Sequence, residues 1–261
     1  MTEINKEKYL AVARKVAKEA GEYLLRNFGE VKMMTHKHDG HFGIEDDKVT
    51  NSIYEKLLKK STPEVGLYTE EGRRDTSKEL TWVIDPLEGT SNYRVGIPFF
   101  ATQICLLKSK DPLISVIIAP KLSQEFYATK GGGTFLNGKK VSVSKLSNLS
   151  KALINIGKGT KHKDNIWYAK TVSKFLSHVR TIRSLGSCGL ELAYCASGKI
   201  DAVIYNGAQP YDYATGVLLI REGGGTIVNE GGKDWQFGDR YLLVSNKNLV
   251  PKLHKILQNT K

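Results

Sequence analysis

Residues 82–93 read WVIDPLEGTSNY. An apolar run ends in Asp85, and Glu88 and Thr90 follow across Pro86 and Gly89. Two carboxylates and a hydroxyl on a tight turn after a strand-like stretch can serve a cation and an anion together. Pro86 fixes its own φ and removes a donor, Gly89 permits a close backbone approach, and Thr90 can cap the helix that follows. The amides of Gly89, Thr90 and Ser91 then point at one spot that suits a phosphate, which Asp85 and Glu88 would repel unless metal ions lay between. The chemistry indicated is metal-assisted phosphoryl transfer. Taken alone, such a turn reads more readily as a surface turn with a capping Thr.

Its company elsewhere decides between these readings. TEEG stands at 69–72, and YDYATG at 211–216 opens an apolar helix that ends in GGG at 223–225. Together these resemble the inositol monophosphatase superfamily, whose signatures read W-x-x-D-P-[I/L]-D-G-T-x-N-[F/Y] and, later, W-D-x-A-x-G. GGTFLNGK at 132–139 and GSCGL at 186–190 also match family segments in order, so the resemblance covers most of the chain. Two departures stand out: Glu88 replaces the second Asp of the first signature, and Tyr211 replaces the Trp of the second.

The resemblance implies that Glu70, Asp85 and the Leu87 carbonyl hold one ion and that Asp85, Glu88 and Asp212 hold another, with Asp85 as the bridge. Carboxylates gathered in one cleft cannot all stay ionised without cations, and oxygen donors without thiolate suit Mg²⁺, two or three ions, with Mn²⁺ as a substitute. By the same resemblance Thr90, oriented by Asp47, positions and deprotonates the attacking water, and Glu71 is a nearby acid. Gly89 and Thr90 meet the phosphate, and Gly186, Ser187 and Cys188 line the sugar pocket. Tyr205 stands where inositol-selective members carry a hydroxyl-binding Glu. Arg183 either reaches a second phosphate or is a strand-end surface residue. The implied enzyme is a phosphoric monoester hydrolase, inhibited by Li⁺ and homodimeric. Its implied substrate is a small phosphorylated metabolite, inositol monophosphate or fructose 1,6-bisphosphate, with 3′-phosphoadenosine 5′-phosphate as the alternative within the class. The rival outside the class is a non-catalytic anion- or RNA-binding relative.

Length and charge bound the reading. A chain of 261 residues can bury a substantial core in one large domain or two halves. No apolar signal segment follows Met1 and no run is long enough to span a bilayer, which reads as cytoplasmic. The three cysteines, Cys105, Cys188 and Cys195, show no paired spacing and read as buried apolar residues. His36, His38 and His41 lack a zinc spacing. The net charge of +12 is dispersed over the sequence without interleaved aromatics, a solvated surface that can steer phosphorylated ligands but argues against nucleic acid. Gly133-x-x-x-x-Gly138-Lys139 approaches a Walker A loop, yet Lys140 replaces the Ser/Thr and a strand follows, so it reads as a hairpin turn.

The elements that must position these residues follow from periodicity. Tyr9, Val12, Ala13, Val16, Ala17, Ala20 and Leu24 predict an amphipathic helix over 5–28, closed by Gly29. A second helix begins near Asp46 with Val49, Ile53 and Leu57 facing inward, which places Asp47 in its first turn. Strand-like stretches at 65–69, 81–85, 99–107, 113–119, 125–129 and 141–144 with short links predict an antiparallel sheet. From about 145 strand and helix alternate: strands at 152–156, 180–184 and 200–205, helices at 163–179 and 187–197, and one opened by Asp212. The division is an N-terminal α+β half over 1–144 and a C-terminal α/β half over 145–261. With the resemblance, the fold class is a layered αβαβα sandwich whose second sheet is smaller and mixed.

Overall fold

The structure is a computed structural model that describes residues 4–30, 35–36, 42–72 and 74–258. Helix α1 (Lys6–Asn27) buries Tyr9, Ala13, Val16, Ala17, Ala20 and Leu24, the stripe read from the sequence, and Asn5 caps it by accepting from the Lys8 amide. Gly29 follows in the left-handed region at φ +92°. The two-residue strands β1 (Thr35–His36) and β2 (Phe42–Gly43) pair antiparallel. His38 and His41 lie outside the described residues.

Helix α2 (Glu45–Ser61) starts where expected, but its inward face is displaced by one residue. Asp47, Thr50, Asn51, Tyr54 and Leu58 are buried, while Val49, Ile53 and Leu57 are only half-buried along the flank. The aromatic ring of Tyr54 and the acid of Asp47 outcompete the aliphatic residues for the inner face. Tyr54 also donates to or accepts from Thr102 across the core at 2.7 Å.

Strands β3 (Gly66–Thr69) and β4 (Leu80–Glu88), helix α3 (Thr90–Arg94), and strands β5 (Ala101–Lys108), β6 (Asp111–Ala119), β7 (Gln124–Thr129), β8 (Gly133–Leu136) and β9 (Lys139–Val141) follow. The seven strands form one sheet in sequential order. It is antiparallel except at β3–β4, which run parallel because residues 70–79 cross back before β4 starts. The strand expected at 141–144 ends at Val141 and pairs with β8, a strand within the stretch 133–139 that the sequence predicts as a hairpin turn. Asn137 and Gly138 form that hairpin tip, both at positive φ, as a tight two-residue hairpin demands.

The remaining elements are β10 (Leu153–Lys158), α4 (His162–Phe175), β11 (Thr181–Arg183), α5 (Cys188–Ala196), β12 (Ala202–Asn206), α6 (Pro210–Glu222), β13 (Thr226–Val228), β14 (Tyr241–Ser245) and α7 (Val250–Gln258). Their five strands make a mixed sheet in the order β11-β10-β12-β14-β13.

Side-chain alternation on β4 and β5 explains the layers. Trp82, Ile84, Ile104 and Leu106 pack with Tyr9, Ala13, Tyr54 and Leu58 of α1 and α2. Val83, Cys105 and Leu107 face the other way, against Tyr211 and Ala214 of α6. Helices α5 and α6 are buried between the sheets, their Leu190, Leu192, Val217 and Ile220 packing with Ile117 and Phe126 of the first sheet and Val203 and Val244 of the second. Phe175 of α4 and Leu253 of α7 cover the far face of the second sheet. The order is helix, sheet, helix, sheet, helix, the expected αβαβα sandwich. Among the described residues no helix is long and apolar enough to cross a membrane.

Candidate active site

Strand β4 delivers Asp85 and Glu88 into the interior, 2 % and 5 % exposed. Its register with β5 breaks between them: Asp85 stands opposite Gln103 and Glu88 opposite Ala101, so β4 carries one extra residue. Pro86 and Leu87 occupy that bulge, the one place inside a sheet that tolerates a proline. Gly89 then turns the chain at φ +81°, and a Cβ there would crowd the Phe99 carbonyl at 3.2 Å and the Ser187 Cβ at 3.3 Å.

Thr90 opens α3, and its hydroxyl lies 2.9 Å from the Leu87 carbonyl and 3.2 Å from Asp47 Oδ1. Asp47 is fully buried in the first turn of α2, and its Oδ2 accepts from the Ile44 amide at 2.6 Å. One oxygen caps the helix and the other meets Thr90, so the capping and the functional readings of Asp47 hold together. Glu70 and Glu71 are half-buried beyond the end of β3. The Glu70 amide donates to the Ile84 carbonyl at 3.2 Å, which seats it beside Asp85.

Asp212 comes from the C-terminal half. Helix α6 starts at Pro210, two residues earlier than expected, so Asp212 sits in the first turn with its Oδ2 on the Gln209 amide at 2.6 Å. Tyr211, in place of the family Trp, is buried against Val83 and Cys105. Glu88 reaches the start of α5, where its carboxylate accepts from the Ser187 hydroxyl and the Cys188 amide. Burial pushes the Glu88 carboxyl up to about 8, and Asp212 and Glu191 add to the rise. Gly186 precedes this helix in an exposed turn, and the buried Cys188 thiol is held well above its usual range by burial and by Asp212 and Glu88, which leaves it inert as a nucleophile.

Tyr205 on β12 donates to the Lys158 carbonyl at 3.0 Å. Its phenol lies within the field of Cys188, Asp212, Glu191 and Glu88. The structure therefore gathers Asp85, Glu88, Asp212, Cys188 and Tyr205 around one region and joins Asp47 to Thr90 and Leu87. Arg183 is different: it is exposed at the edge of the second sheet, and its Nη1 donates to Thr181 Oγ1 and the Ile182 carbonyl on its own strand.

A model described as "Inositol monophosphatase family" matches residues 5–261. The chain belongs to the inositol monophosphatase family. It is 34% identical over 265 residues to an inositol monophosphatase of Dictyostelium discoideum, covering 98% of this chain and 97% of the relative. The extragenic suppressor protein suhB of Bartonella henselae superposes with a TM-score of 0.92 at 28% identity, over 97% of this chain and 99% of that one. A solved inositol monophosphatase–fructose 1,6-bisphosphatase superposes with a TM-score of 0.79 at 27% identity, over 98% of this chain and 100% of that one. Relatives named inositol monophosphatases are phosphoric monoester hydrolases, and the family is generally metal-dependent.

The chemistry of the donors fits a hard divalent cation. Carboxylates arrive from β3, β4 and α6, the Leu87 carbonyl is beside them, and the charges acting on Glu88 are further acids. Among the described residues no three His, Cys, Asp or Glu side chains stand around one point closely enough to hold an ion. For Glu88 to join such a group it must share its carboxylate with α5.

Three residues escaped the sequence reading. Glu191 on α5 is fully buried, and its Oε1 accepts from the Leu185 and Gly186 amides at 2.9 Å each. Asn92 of α3 donates to the carbonyls of Leu185 and Phe99 at 2.7 and 2.8 Å. These two hold the loop before α5 in place. Gln103 on β5 is the third. The available signal was a polar residue inside an apolar element: Glu191 in CGLELAYCA and Gln103 before the apolar run of ATQICLLK.

Proposed function

We propose that the protein hydrolyses a small phosphorylated polyol or sugar, inositol monophosphate or fructose 1,6-bisphosphate, with Mg²⁺. The observation that carries this reading is the Thr90 hydroxyl held between Asp47 Oδ1 and the Leu87 carbonyl, next to the buried carboxylates Asp85 and Glu88. Glu70, Asp85 and the Leu87 carbonyl would hold one ion, and Asp85, Glu88 and Asp212 a second. Bound Mg²⁺ supplies neutralisation of the phosphate and a more acidic water.

The chain's own residues do the rest. Thr90 orients the attacking water and relays its proton towards Asp47 Oδ1, while the Ile44 amide on Oδ2 keeps that carboxylate from turning. Gly89 and Thr90 lie against the phosphate, and Glu71 is the nearby acid. Gly186, Ser187, Cys188 and Tyr205 face the alcohol portion. Tyr205 offers no carboxylate to a ring hydroxyl, which favours a tolerant pocket over one selective for inositol. Arg183 is the residue that would serve a second phosphate, although its Nη1 bonds to its own strand. Phosphoryl transfer depends chiefly on positioning and electrostatics, and the site is built for both.

A phosphate-release screen over inositol, sugar and nucleotide phosphates, with and without Mg²⁺, tests this. Mg²⁺-dependent release from a polyol or sugar phosphate is the expected result. Preference for 3′-phosphoadenosine 5′-phosphate would move the substrate within the class. No turnover together with tight, salt-sensitive RNA binding would replace the enzyme by a binding relative.

A further inference from the structure

Gln103 stands directly opposite Asp85 in the β4–β5 register, so the two side chains leave the sheet on the same face. It is 1 % exposed. Its Nε2 donates to the Tyr211 carbonyl at 2.9 Å and to the Asp212 carbonyl at 3.2 Å, and its Oε1 accepts from the Thr215 hydroxyl. Both carbonyls can only accept, which fixes the amide orientation. One side chain thus grips the first two turns of α6 by three groups. On its other flank is Gly189 of α5, where a Cβ would collide with the Gln103 amide. A glycine is needed there because the amide occupies the space between α5 and the sheet.

We propose that Gln103 is a positioning residue that sets the Asp212 carboxylate against Asp85. The inference rests on the proposed function and adds to it how two acids from different halves of the chain are brought into register. Asp85 is held on β4 by pairing with β5. Asp212 stands instead in the first turn of a helix, its Oδ2 on the Gln209 amide. Gln103 transfers the rigidity of β5 to that helix start through the backbone of Asp212 itself, so a rotation of α6 is resisted at the residue that matters. Buried amides hydrogen-bonded at both ends suit this task, since leaving either end unsatisfied is costly.

The test is Mn²⁺ binding, measured by titration calorimetry and by the Mn²⁺ resonance spectrum, beside steady-state kinetics. Gln103→Met keeps the length and loses all three bonds. Gly189→Ala keeps the amide and displaces it. Tyr9→Phe, which removes a hydrogen bond to Glu64 on the opposite face of the sheet, is the control for stability alone. The expected result is a loss of Mn²⁺ affinity by about 10-fold or more in whichever of the first two variants folds, with kcat falling and KM little changed, while Tyr9→Phe binds Mn²⁺ as the parent does. Parent-like Mn²⁺ affinity in the Gln103 or Gly189 variant overturns the positioning role and leaves the phosphatase reading intact. Equal loss of affinity in Tyr9→Phe also overturns it, since stability would then be the cause. A parent protein that binds no Mn²⁺ overturns the metal-dependent reading and this inference with it.

Discussion

Asp47 serves two partners with two oxygens, and that division sets the consequences of changing it. Asp47→Asn can keep one acceptor for either the Ile44 amide or Thr90 but loses the charge that draws the proton from Thr90. It is expected to lower kcat by roughly 10²-fold with a modest change in KM, measured by steady-state phosphate release. An unchanged kcat would leave Asp47 as a helix cap only. Glu88 is expected to behave by length. Glu88→Asp keeps activity but shifts the Mg²⁺ requirement, because the shorter acid cannot serve α5 and an ion together. Glu88→Ala loses activity by about 10-fold or more at every Mg²⁺ concentration. Parent-like metal titrations for both would remove Glu88 from the ligand set. Glu191 makes a pH prediction. Burial holds its carboxyl at about 7 against an ordinary 4.5, so the folded chain keeps a proton that the unfolded chain has released. The stability this residue contributes is full below 4.5 and is lost as pH rises towards 7. Glu191→Gln, which keeps an acceptor for the Leu185 and Gly186 amides, should flatten that part of the Tm profile of the chelator-treated protein. An unchanged slope would assign the loss to other groups.

Elements act here through what they hold still. Helix α2 matters because Tyr54 and Leu58 lock it against the sheet and thereby fix where Asp47 meets Thr90. Tyr54→Phe leaves the packing but abandons the buried Thr102 hydroxyl at 2.7 Å, which should cost about 1–2 kcal/mol, read as a lower urea midpoint with an unchanged slope. Trp82 extends the same clamp, its indole N–H donating to Thr62 at 3.0 Å beyond the end of α2. Helix α5 plays the corresponding part for the pocket. Its first turn is tied to the N-terminal half by Glu88 and, through the preceding loop, by Asn92, and to itself by Glu191. Close packing of α5 on α6 depends on Gly216, where a Cβ would meet the Leu192 side chain.

Across the whole molecule the two sheets are joined by one shared core, because α5 and α6 are buried between them and contact both. Neither half can shed its surface without exposing those helices. The protein is therefore expected to unfold in a single cooperative transition, with equal calorimetric and van't Hoff enthalpies. Two resolved transitions would mean that the halves are independent domains. The proposed site draws on both halves as well, Asp47, Asp85, Glu88 and Thr90 from one and Asp212, Ser187 and Tyr205 from the other. Chelation is accordingly expected to abolish turnover and Mg²⁺ to restore it, with Li⁺ inhibiting. Activity that survives exhaustive chelation would exclude the proposed mechanism.

Local patterning was enough for much of this. The period of the apolar residues determines α1 and most strands, since a 3.6-residue or two-residue stripe must be buried whichever partner covers it. The turn chemistry of DPLEGT determines a tight turn at the end of β4, because proline fixes its own φ and glycine admits backbone that other residues avoid. The ordered motifs determined the family. What depended on packing was decided elsewhere. Which face of α2 turns inward was settled by the space that admits Tyr54, and the parallel pairing of β3 with β4 by a crossover that no periodicity marks. Arg183 found its partners on its own strand. The engagement of Glu88 with α5, and of Gln103 with the start of α6, joins residues far apart in the chain. Such pairings become energetically decisive only when both groups are desolvated together, and only the tertiary structure does that.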